Sequence, residues 1–263
     1  IKVLLYKKYF VLLMRKEINL FEENGYRFLK FNNSSVQSAM NLKSPDLLVL
    51  EYTKLMTFFM NFNNEFRNIS VIGAGGGSIV KFIKTSLPQC HIKLIEIDKK
   101  VINIAHNYFF LPLPDNNLEI IIESGEDWIK RDINKFDVFM IDVFDDKGPI
   151  DYFNSEKFYN LVFQKLQVNG VVVVNMWSNH KKIKDFILCL HKNFYNFIIL
   201  SGMKTKNIVL LGFKELMNKE LLFEKFKQHI KIEYDFYRTV VKAIDFWDGK
   251  KFINYKLERF YDR

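Results

Sequence analysis

The sequence predicts an α/β protein: a Rossmann-like, doubly wound sheet with an antiparallel hairpin at its edge, preceded by a small N-terminal β region. Apolar runs of strand length alternate with segments of helical periodicity from residue 69 to residue 213. A glycine-rich turn joins the first of these runs to the helix that follows it. Because helical crossovers connect parallel strands, we expect a parallel arrangement at the centre of the sheet.

The N-terminal β region is predicted to cover residues 1–44. An Asn24-Gly25 pair stands among alternating apolar and polar residues, with Phe21 before it and Phe28 after it. Asn-Gly in that setting is typical of a tight β-hairpin. Residues 45–263 are then expected to form the Rossmann-like domain.

Secondary structure in the larger domain is predicted from the spacing of apolar residues. Ser44-Pro45-Asp46 is expected to open a helix, because apolar residues recur at helical spacing after it. Strands are expected at 69–73, 92–97, 118–122, 136–142, 168–175, 194–200 and 207–213. Helices are expected at 78–86, 99–110, 154–166 and 181–192.

The end of the domain carries two further expectations. The last two predicted strands are joined by Ser201-Gly202 and should form the edge hairpin, which distinguishes sheets of the S-adenosylmethionine-dependent methyltransferase type from those of dehydrogenases. Residues 215–263 are rich in aromatics and are expected to form one or two terminal helices.

Composition excludes several classes of protein. With 49% hydrophobic and 26% charged residues the chain has the profile of a globular protein, and its apolar first fourteen residues, interrupted by Lys7 and Lys8, are too short to span a membrane. Cys90 and Cys189 lack the spacing of a metal site, and the five histidines show none either. We expect no metal, no membrane contact and a reducing, cytoplasmic location.

The net charge of +9 is distributed unevenly. Residues 71–175 carry 11 Lys and Arg against 14 Asp and Glu, whereas both flanks are basic. An acidic centre is unsuited to a phosphate-rich ligand and suits a cation such as a sulfonium or a polyamine. Nucleic acid is therefore not expected as a partner.

The glycine motif places Gly73, Gly75 and Gly77 on alternate positions between the strand and the helix. Glycine is needed where a turn adopts positive φ and where a Cβ would keep a ligand from the backbone N–H groups at a helix N-terminus. Ser78 replaces the last glycine of the dinucleotide fingerprint, and Lys81 does not follow a glycine as it would in a P-loop. The remaining form, G-x-G-x-G, suits an adenosyl group with a short sulfonium tail; a glycine turn without a ligand is the alternative.

Acidic residues follow the predicted strands at their carboxyl ends, where ligands bind in such sheets. Glu96 ends the second strand of the main sheet and can accept hydrogen bonds from both ribose hydroxyls. Residues 123–128 follow the third strand and are placed to touch an adenine edge. Asp142, Asp145 and Asp146 follow the fourth; they suit a bound cation, although turn chemistry before Gly-Pro would also explain them.

Taken together, these motifs resemble the spermidine synthase (polyamine aminopropyltransferase) family over residues 25–213. The signals that carry the resemblance are the hairpin, Gln37-Ser38, a helix with Tyr52, the glycine motif, Glu96-Ile97-Asp98 followed by Val101-Ile102, and Asp-x-x-Asp before Gly148-Pro149. The resemblance implies a homodimer that acts on a small-molecule amine with S-adenosylmethionine or its decarboxylated form as co-substrate.

The resemblance also implies site residues. Asp142 would be the catalytic carboxylate, and Asp145 would help to bind the amine. Residues that would hold the donor are Gln37, Gly73, Gly75, Gly76, Gly77, Glu96, Ile97, Ser124 and Gly125.

Departures from the family pattern lie in the same region. The family's aspartate in the glycine motif is Gly76 here, its Tyr-Gln pair corresponds to Val36-Gln37, and its adenine-binding aspartate corresponds to Ser124. A Tyr-Pro-Ser-Gly stretch before the last strands is absent from residues 201–204.

Gly76 leads to a hypothesis about the donor. An aspartate there would repel the carboxylate of intact S-adenosylmethionine by about 1 to 4 kcal/mol, so its loss removes that discrimination. We therefore expect methyl transfer to an amine. Two alternatives stay open: a true aminopropyltransferase using decarboxylated S-adenosylmethionine and putrescine, and a non-catalytic binding or scaffold protein of the same fold.

Overall fold

A computed structural model describes ten ranges of the chain, and every structural statement below refers to these residues. They are 8–11, 18–31, 36–63, 65–145, 148–194, 196–216, 220–221, 224, 241–247 and 252–255. Within this described part, no helix is long and apolar enough to cross a membrane.

The N-terminal region is a four-stranded antiparallel sheet in sequential order. Its strands are β1 (Lys8–Val11), β2 (Ile18–Glu23), β3 (Tyr26–Phe31) and β4 (Val36–Asn41). The predicted hairpin is confirmed: Asn24 and Gly25 have φ of 51° and 81°, the two positive values that a type I′ turn requires. Phe21 and Phe28 pair across the strands with ring centroids 5.0 Å apart.

The helix expected to open at Ser44 begins later, so that prediction is wrong. Leu47 N–H donates to the Ser44 carbonyl at 3.2 Å, which makes residues 44–47 a turn with Pro45 at its second position. Helix α1 (Glu51–Met56) starts at Glu51 and continues into a 3-10 turn, Thr57–Asn61. Proline here initiates a β-turn, because its fixed φ suits that position as well as it suits the first turn of a helix.

The centre of the main sheet is parallel, as predicted. Its strands are β5 (Asn68–Ile72), β6 (His91–Glu96), β7 (Leu118–Ile122), β8 (Phe136–Ile141) and β11 (Leu166–Trp177). The crossover helices are α2 (Ser78–Ser86), α3 (Lys99–Phe109), α4 (Gly125–Arg131), α5 (Glu156–Lys165) and α6 (Ile183–Asn193). Between β8 and α5 lies a small pair of strands, β9 (Phe144–Asp145) and β10 (Gly148–Pro149).

The predicted hairpin is present as β12 (Asn196–Gly202) and β13 (Asn207–Phe213), with β13 antiparallel to β11. The sheet continues beyond it. β14 (Val241–Trp247) pairs with β12, and β15 (Phe252–Tyr255) pairs with β14, so the strand order is β15-β14-β12-β13-β11-β8-β5-β6-β7.

The expectation of terminal helices over 215–263 is therefore wrong for residues 241–247 and 252–255. Residues 220, 221 and 224 are helical, and the other parts of that prediction fall outside the described residues. Residues 243–247 of β14 pair one after another with residues 201–197 of β12, because the free edge of β12 offers backbone hydrogen bonds to a further strand.

Apolar layers cover both faces of the main sheet. Val71, Met140 and Val173 point to the face covered by α1, α2 and part of α3. Their neighbours along the chain point to the face covered by α4, α5 and α6, where Trp128 and Phe158 are fully buried. This two-sided burial is what the continuous apolar strands predict.

A buried lysine on α2 joins three parts of the molecule. The Lys81 side chain is 2% exposed, and its ammonium donates to the carbonyls of Pro45, at 2.8 Å, and Phe109, at 2.6 Å. The Met40 sulfur lies 3.2 Å from the same nitrogen. Burial lowers the pKa of Lys81 to about 8. This ammonium ties the N-terminal sheet and the turn after it to the end of α3.

Replacing this lysine should destabilise the fold. Lys81→Met leaves two buried carbonyls without their donor, and we expect a loss of about 1 to 3 kcal/mol in the free energy of unfolding, measured by urea denaturation. Lys84→Met on the same helix removes only a surface ion pair with Asp115 and should lose less than about 1 kcal/mol. Equal losses for the two variants would contradict this role of Lys81.

Candidate functional site

The glycine loop connects β5 to α2. Three of its residues have positive φ, a backbone conformation that is strained for residues other than glycine. Gly73, Gly75 and Gly77 have φ of 97°, 48° and 73°. A Cβ on Gly73 would lie 2.2 Å from the carbonyl oxygen of Asp142. The loop therefore depends on glycine both for its conformation and for its close approach to the end of β8.

Backbone N–H groups of this loop already donate within the protein. Gly73 N–H donates to Ile95 O at 2.9 Å, and Gly77 N–H donates to Ala74 O at 2.8 Å. The other two pairs are Ala74 N–H to Glu96 Oε2 at 3.0 Å and Gly76 N–H to Ser38 Oγ at 2.7 Å. Four N–H groups of the loop thus already have acceptors within the protein.

The position of the missing aspartate, Gly76, is tightly packed. A Cβ there would lie 2.9 Å from the Phe109 ring and 3.0 Å from the Cβ of Ser38. Phe109 is fully buried, so its ring has little room to move. A side chain at residue 76 would therefore require Phe109 and Ser38 to move.

The Glu96 carboxylate lies between the loop and α3. Its Oε2 accepts from Ala74 N–H and its Oε1 accepts from Asp98 N–H, both at 3.0 Å. Burial raises the pKa of Glu96, and the two backbone donors oppose that shift. Ile97, the next residue, is 71% exposed, so the end of β6 presents a fixed carboxylate beside an apolar surface.

Asp142, at the end of β8, is held from two sides. Its Oδ1 accepts from Asn175 Nδ2 at 2.8 Å, and the nearby Tyr52 hydroxyl, which donates to the Gln37 carbonyl at 3.2 Å, also acts to lower its pKa. Burial raises the pKa of Asp142 to about 6, against the effect of these two side chains. Burial, followed by the Asp142 charge, raises the pKa of Tyr52 well above its usual value, so this phenol stays protonated.

These elements enclose a cleft of about 380 Å³, a volume that includes space open to solvent. Residues that line it are Ser38, Ala39, Leu50, Tyr52, Thr53, Val71, Gly73, Ala74, Gly75, Ser78, Ile79, Val80 and Asp142. Asp142 brings the one carboxylate of this lining, and none of these residues is Lys, Arg or His. The described lining is therefore electrostatically suited to a cation.

Two aromatic residues follow the hydrogen-bonded residues Asp142 and Asn175 in the sequence. Phe144 and Trp177 stack with centroids 5.4 Å apart and planes 22° from parallel. Phe144 follows Asp142 by two residues and Trp177 follows Asn175 by two residues, beyond the paired part of the parallel strands β8 and β11. Aromatic faces attract ammonium groups, so this pair adds a second feature that suits a cation.

The structure brings together most of the predicted site residues. Gly73, Gly75 and Asp142 line the cleft, Gly76 contacts Ser38, and Glu96 binds the loop. The Gln37 carbonyl oxygen lies 3.2 Å from the Tyr52 hydroxyl.

Three predicted residues lie farther from the cleft or are only partly described. Ser124 caps α4 by accepting from Glu126 N–H at 3.2 Å, and Gly125 is buried against Ile72. The backbone of Asp145 pairs with Gly148, and its side chain falls outside the described residues.

Sequence reasoning missed Tyr52, Ser38 and Asn175 as site residues. Tyr52 and Ser38 were recognised only as parts of the family pattern, because contacts between the N-terminal region and the main sheet leave no local signal. Asn175 did have a signal: it interrupts the apolar run of β11 and is 4% exposed, and a buried amide requires partners. No group of three or more potential metal ligands occurs among the residues the structure describes.

Comparison with known proteins agrees with this geometry. The spermine/spermidine synthase domain matches residues 50–199. A polyamine aminopropyltransferase of Neisseria meningitidis serogroup A is 32% identical over 244 residues, which are 90% of this chain and 93% of that protein.

Solved structures show the same fold. A probable spermidine synthase from Corynebacterium glutamicum has a TM-score of 0.71 at 16% identity, over 84% of this chain and 86% of that one. Human methyltransferase-like protein 13 has a TM-score of 0.59 at 22% identity, over 68% and 90%. The predicted fold class is confirmed.

Fold and site together define a Rossmann-like protein in which a glycine loop, the Glu96 carboxylate and the Asp142 carboxylate lie at adjacent strand ends. The chain belongs to the spermine/spermidine synthase family. The expectation of a spermidine-synthase-like group transferase is confirmed at the level of the family. Methyl transfer, which Gly76 led us to expect, is not supported by these relatives, and the aminopropyltransferase alternative fits them better.

The packing at Gly76 can be tested by a double-mutant cycle. Gly76→Ala should lower the free energy of unfolding by about 1 to 3 kcal/mol, because its Cβ is forced against Phe109. In a Phe109→Leu background the same substitution should lose clearly less, because the smaller side chain leaves room. Strict additivity of the two substitutions in thermal or urea unfolding would show that the two positions are not coupled.

Proposed function

We propose that this chain transfers the aminopropyl group of decarboxylated S-adenosylmethionine to a primary amine of a small cationic acceptor, and so forms a polyamine. The observation that carries the proposal is the charge of the cleft: its described lining presents the Asp142 carboxylate and no basic side chain. Membership of the family and the name of the Neisseria relative support the same reaction.

The choice of co-substrate follows from the groups that the glycine loop and the cleft can bind. The tail of intact S-adenosylmethionine carries a carboxylate, which would stand near Asp142 without a basic partner in the described lining. Four loop N–H groups, those of Gly73, Ala74, Gly76 and Gly77, donate instead to Ile95, Glu96, Ser38 and Ala74. The decarboxylated donor lacks that group and brings two positive charges into an acidic site. Gly76 therefore does not by itself favour the intact donor.

Residues around the loop are assigned to the adenosyl part of the donor. Glu96 would bind the ribose hydroxyls with the lone pairs that its two backbone donors leave free. Ile97 would cover an apolar face of the adenine, and Ser124 and Gly125 would face its edge, as the family resemblance implies. Gly73 and Gly75 would pass the tail toward Asp142, which lines the same cleft.

Asp142 is assigned to the acceptor. The reacting amine must lose a proton before its nitrogen lone pair can attack carbon. With a pKa of about 6, Asp142 is a stronger base than an ordinary aspartate, and the gap to an amine of pKa about 10 narrows to about 4 units. Tyr52 orients the carboxylate, and Asp145, two residues beyond Val143, would bind the far end of the acceptor together with the Phe144–Trp177 faces.

The chemical step balances without a further reactant. The acceptor nitrogen forms a bond to the aminopropyl carbon next to sulfur, the carbon–sulfur bond breaks, and its electron pair stays on sulfur. Methylthioadenosine leaves as a neutral thioether. The proton lost by the amine passes to Asp142 and then to solvent. Alignment of nitrogen, carbon and sulfur by the cleft supplies most of the rate.

Product analysis tests the proposal and the role of Asp142. With putrescine and the decarboxylated donor, the protein should form spermidine and methylthioadenosine in equal amounts, as measured by mass spectrometry. Asp142→Asn should lower kcat by about 10²- to 10⁴-fold, because it removes the base. Asp115→Asn, a surface substitution beside Lys84, is the control and should leave the rate within about twofold.

Other products would overturn the proposal. Methylated amine and S-adenosylhomocysteine formed from intact S-adenosylmethionine would identify a methyltransferase. No product with either donor would favour a non-catalytic scaffold.

A pH profile tests the charge state of Asp142. Its carboxylate form is the active base, so kcat/KM should fall as the pH drops through about 6, by about tenfold between pH 7 and pH 5. Asp142→Asn should lack this acidic limb while keeping any alkaline dependence that arises from the acceptor amine. An acidic limb near pH 4 in the wild-type protein would show that burial does not raise this pKa.

A further inference from the structure

A glutamate outside the cleft lining holds the turn between β12 and β13. The Glu51 carboxylate, at the start of α1, accepts from the backbone N–H groups of Met203, at 3.1 Å, Lys204, at 2.9 Å, and Thr205. A Cβ on Gly202 would lie 2.6 Å from Glu51 Oε2, so glycine at that position permits the approach. Three charge-assisted bonds fix this turn, which lacks the family's Tyr-Pro-Ser-Gly stretch.

From this turn, a chain of side-chain hydrogen bonds leads to Asp142. Thr205 Oγ1 donates to Asn207 Oδ1, Asn207 Nδ2 donates to Asn175 Oδ1, and Asn175 Nδ2 donates to Asp142 Oδ1, each at 2.8 Å. The Asp142 carboxylate determines which group donates and which accepts in each of these hydrogen bonds. A carboxylate accepts only, so Asn175 must turn its NH₂ toward Asp142 and its oxygen toward Asn207, and Asn207 must then turn its oxygen toward the Thr205 hydroxyl.

A second connection runs through the neighbouring residue on α1. Tyr52 directly follows Glu51, and its hydroxyl, which donates to the Gln37 carbonyl at 3.2 Å, interacts electrostatically with the Asp142 carboxyl group. Glu51 and Tyr52 thus belong to one closed circuit that passes from α1 through the turn, Asn207 and Asn175 to Asp142 and back to α1. In such a circuit the members hold one another in place, and removing one loosens the others.

We propose that Glu51 is a positioning residue for the transfer reaction: through the turn and the Thr205–Asn207–Asn175 chain it orients the Asp142 carboxylate. The inference rests on the proposed function, because it assigns Asp142 the role of base. Asn175 stabilises the charged form of Asp142 and so lowers its pKa. A misplaced Asn175 would therefore make Asp142 a poorly oriented carboxylate with a still higher pKa.

Two side chains face the Asp142 carboxyl group and act on its pKa. Tyr52 on α1 is titratable and stays protonated, and Asn175 on β11 is a neutral amide. Among the residues with described side chains, no further charged group shifts the pKa of Asp142. Asp145 and Asp146 follow in sequence, and their side chains fall outside the described part.

The experiment compares Glu51→Ala and Glu51→Gln with Glu65→Ala, which removes an exposed glutamate from the connection to β5. Glu51→Ala should lower kcat at least tenfold, leave KM for the donor within twofold and move the acidic limb of the pH profile to higher pH. Glu51→Gln keeps one acceptor oxygen and should recover part of kcat, and Glu65→Ala should behave as wild type. In an Asn175→Ala background, Glu51→Ala should have little further effect on kcat.

Hydrogen exchange does not require enzyme activity, so it tests the role of Glu51 in the turn independently of the proposed function. Hydrogen exchange at the amides of Met203, Lys204 and Thr205 should be at least tenfold faster in Glu51→Ala than in wild type, whether or not the protein is active. Faster exchange with an active wild type but an unmoved acidic limb and unchanged kcat would overturn the positioning role. Unchanged exchange would show that the Glu51 carboxylate does not hold the turn between β12 and β13, and would overturn the inference. A wild-type protein that forms no product would defeat the proposed function and, with it, the role of Glu51 in catalysis.

Discussion

Parallel pairing of β5 with β8 is the constraint on which the site depends. Ile72 lies opposite Ile141, and Asp142 N–H donates to Ile72 O at 2.9 Å, so the two strands end at the same level. The glycine loop and the buried acid thereby meet, with so little space that Gly73 has no room for a Cβ. One backbone contact therefore places the glycine loop beside Asp142, and in the proposed reaction the donor and the acceptor inherit that geometry.

A polar circuit inside an apolar sheet is the second requirement. Asn175 lies among valines of β11, and its two hydrogen bonds satisfy an amide that burial would otherwise penalise. The bond from Asn175 orients the Asp142 carboxylate and lowers its pKa, against burial, which raises that pKa to about 6. The hydrogen bond that satisfies the buried Asn175 amide therefore also affects the pKa of Asp142, on which its proposed role as a base depends.

The sequence predicted those features that depend on a few neighbouring residues. Asn24-Gly25, the alternating glycines and Glu96 each carry their own conformational or chemical requirement, and each lies where expected. Contacts between distant segments were not predictable: Tyr52 reaches Asp142 only because α1 packs across the sheet, and Phe109 fills the space beside Gly76. β14 was mistaken for helix because its pairing partner, an open strand edge, is a tertiary feature.

In the proposed function, the acidic cleft selects a donor without a carboxylate, even though Gly76 replaces the family aspartate. Calorimetric titration with decarboxylated and with intact S-adenosylmethionine tests this most directly. We predict at least tenfold tighter binding of the decarboxylated form, equivalent to about 1.4 kcal/mol. Equal affinity, or tighter binding of intact S-adenosylmethionine, would contradict the account.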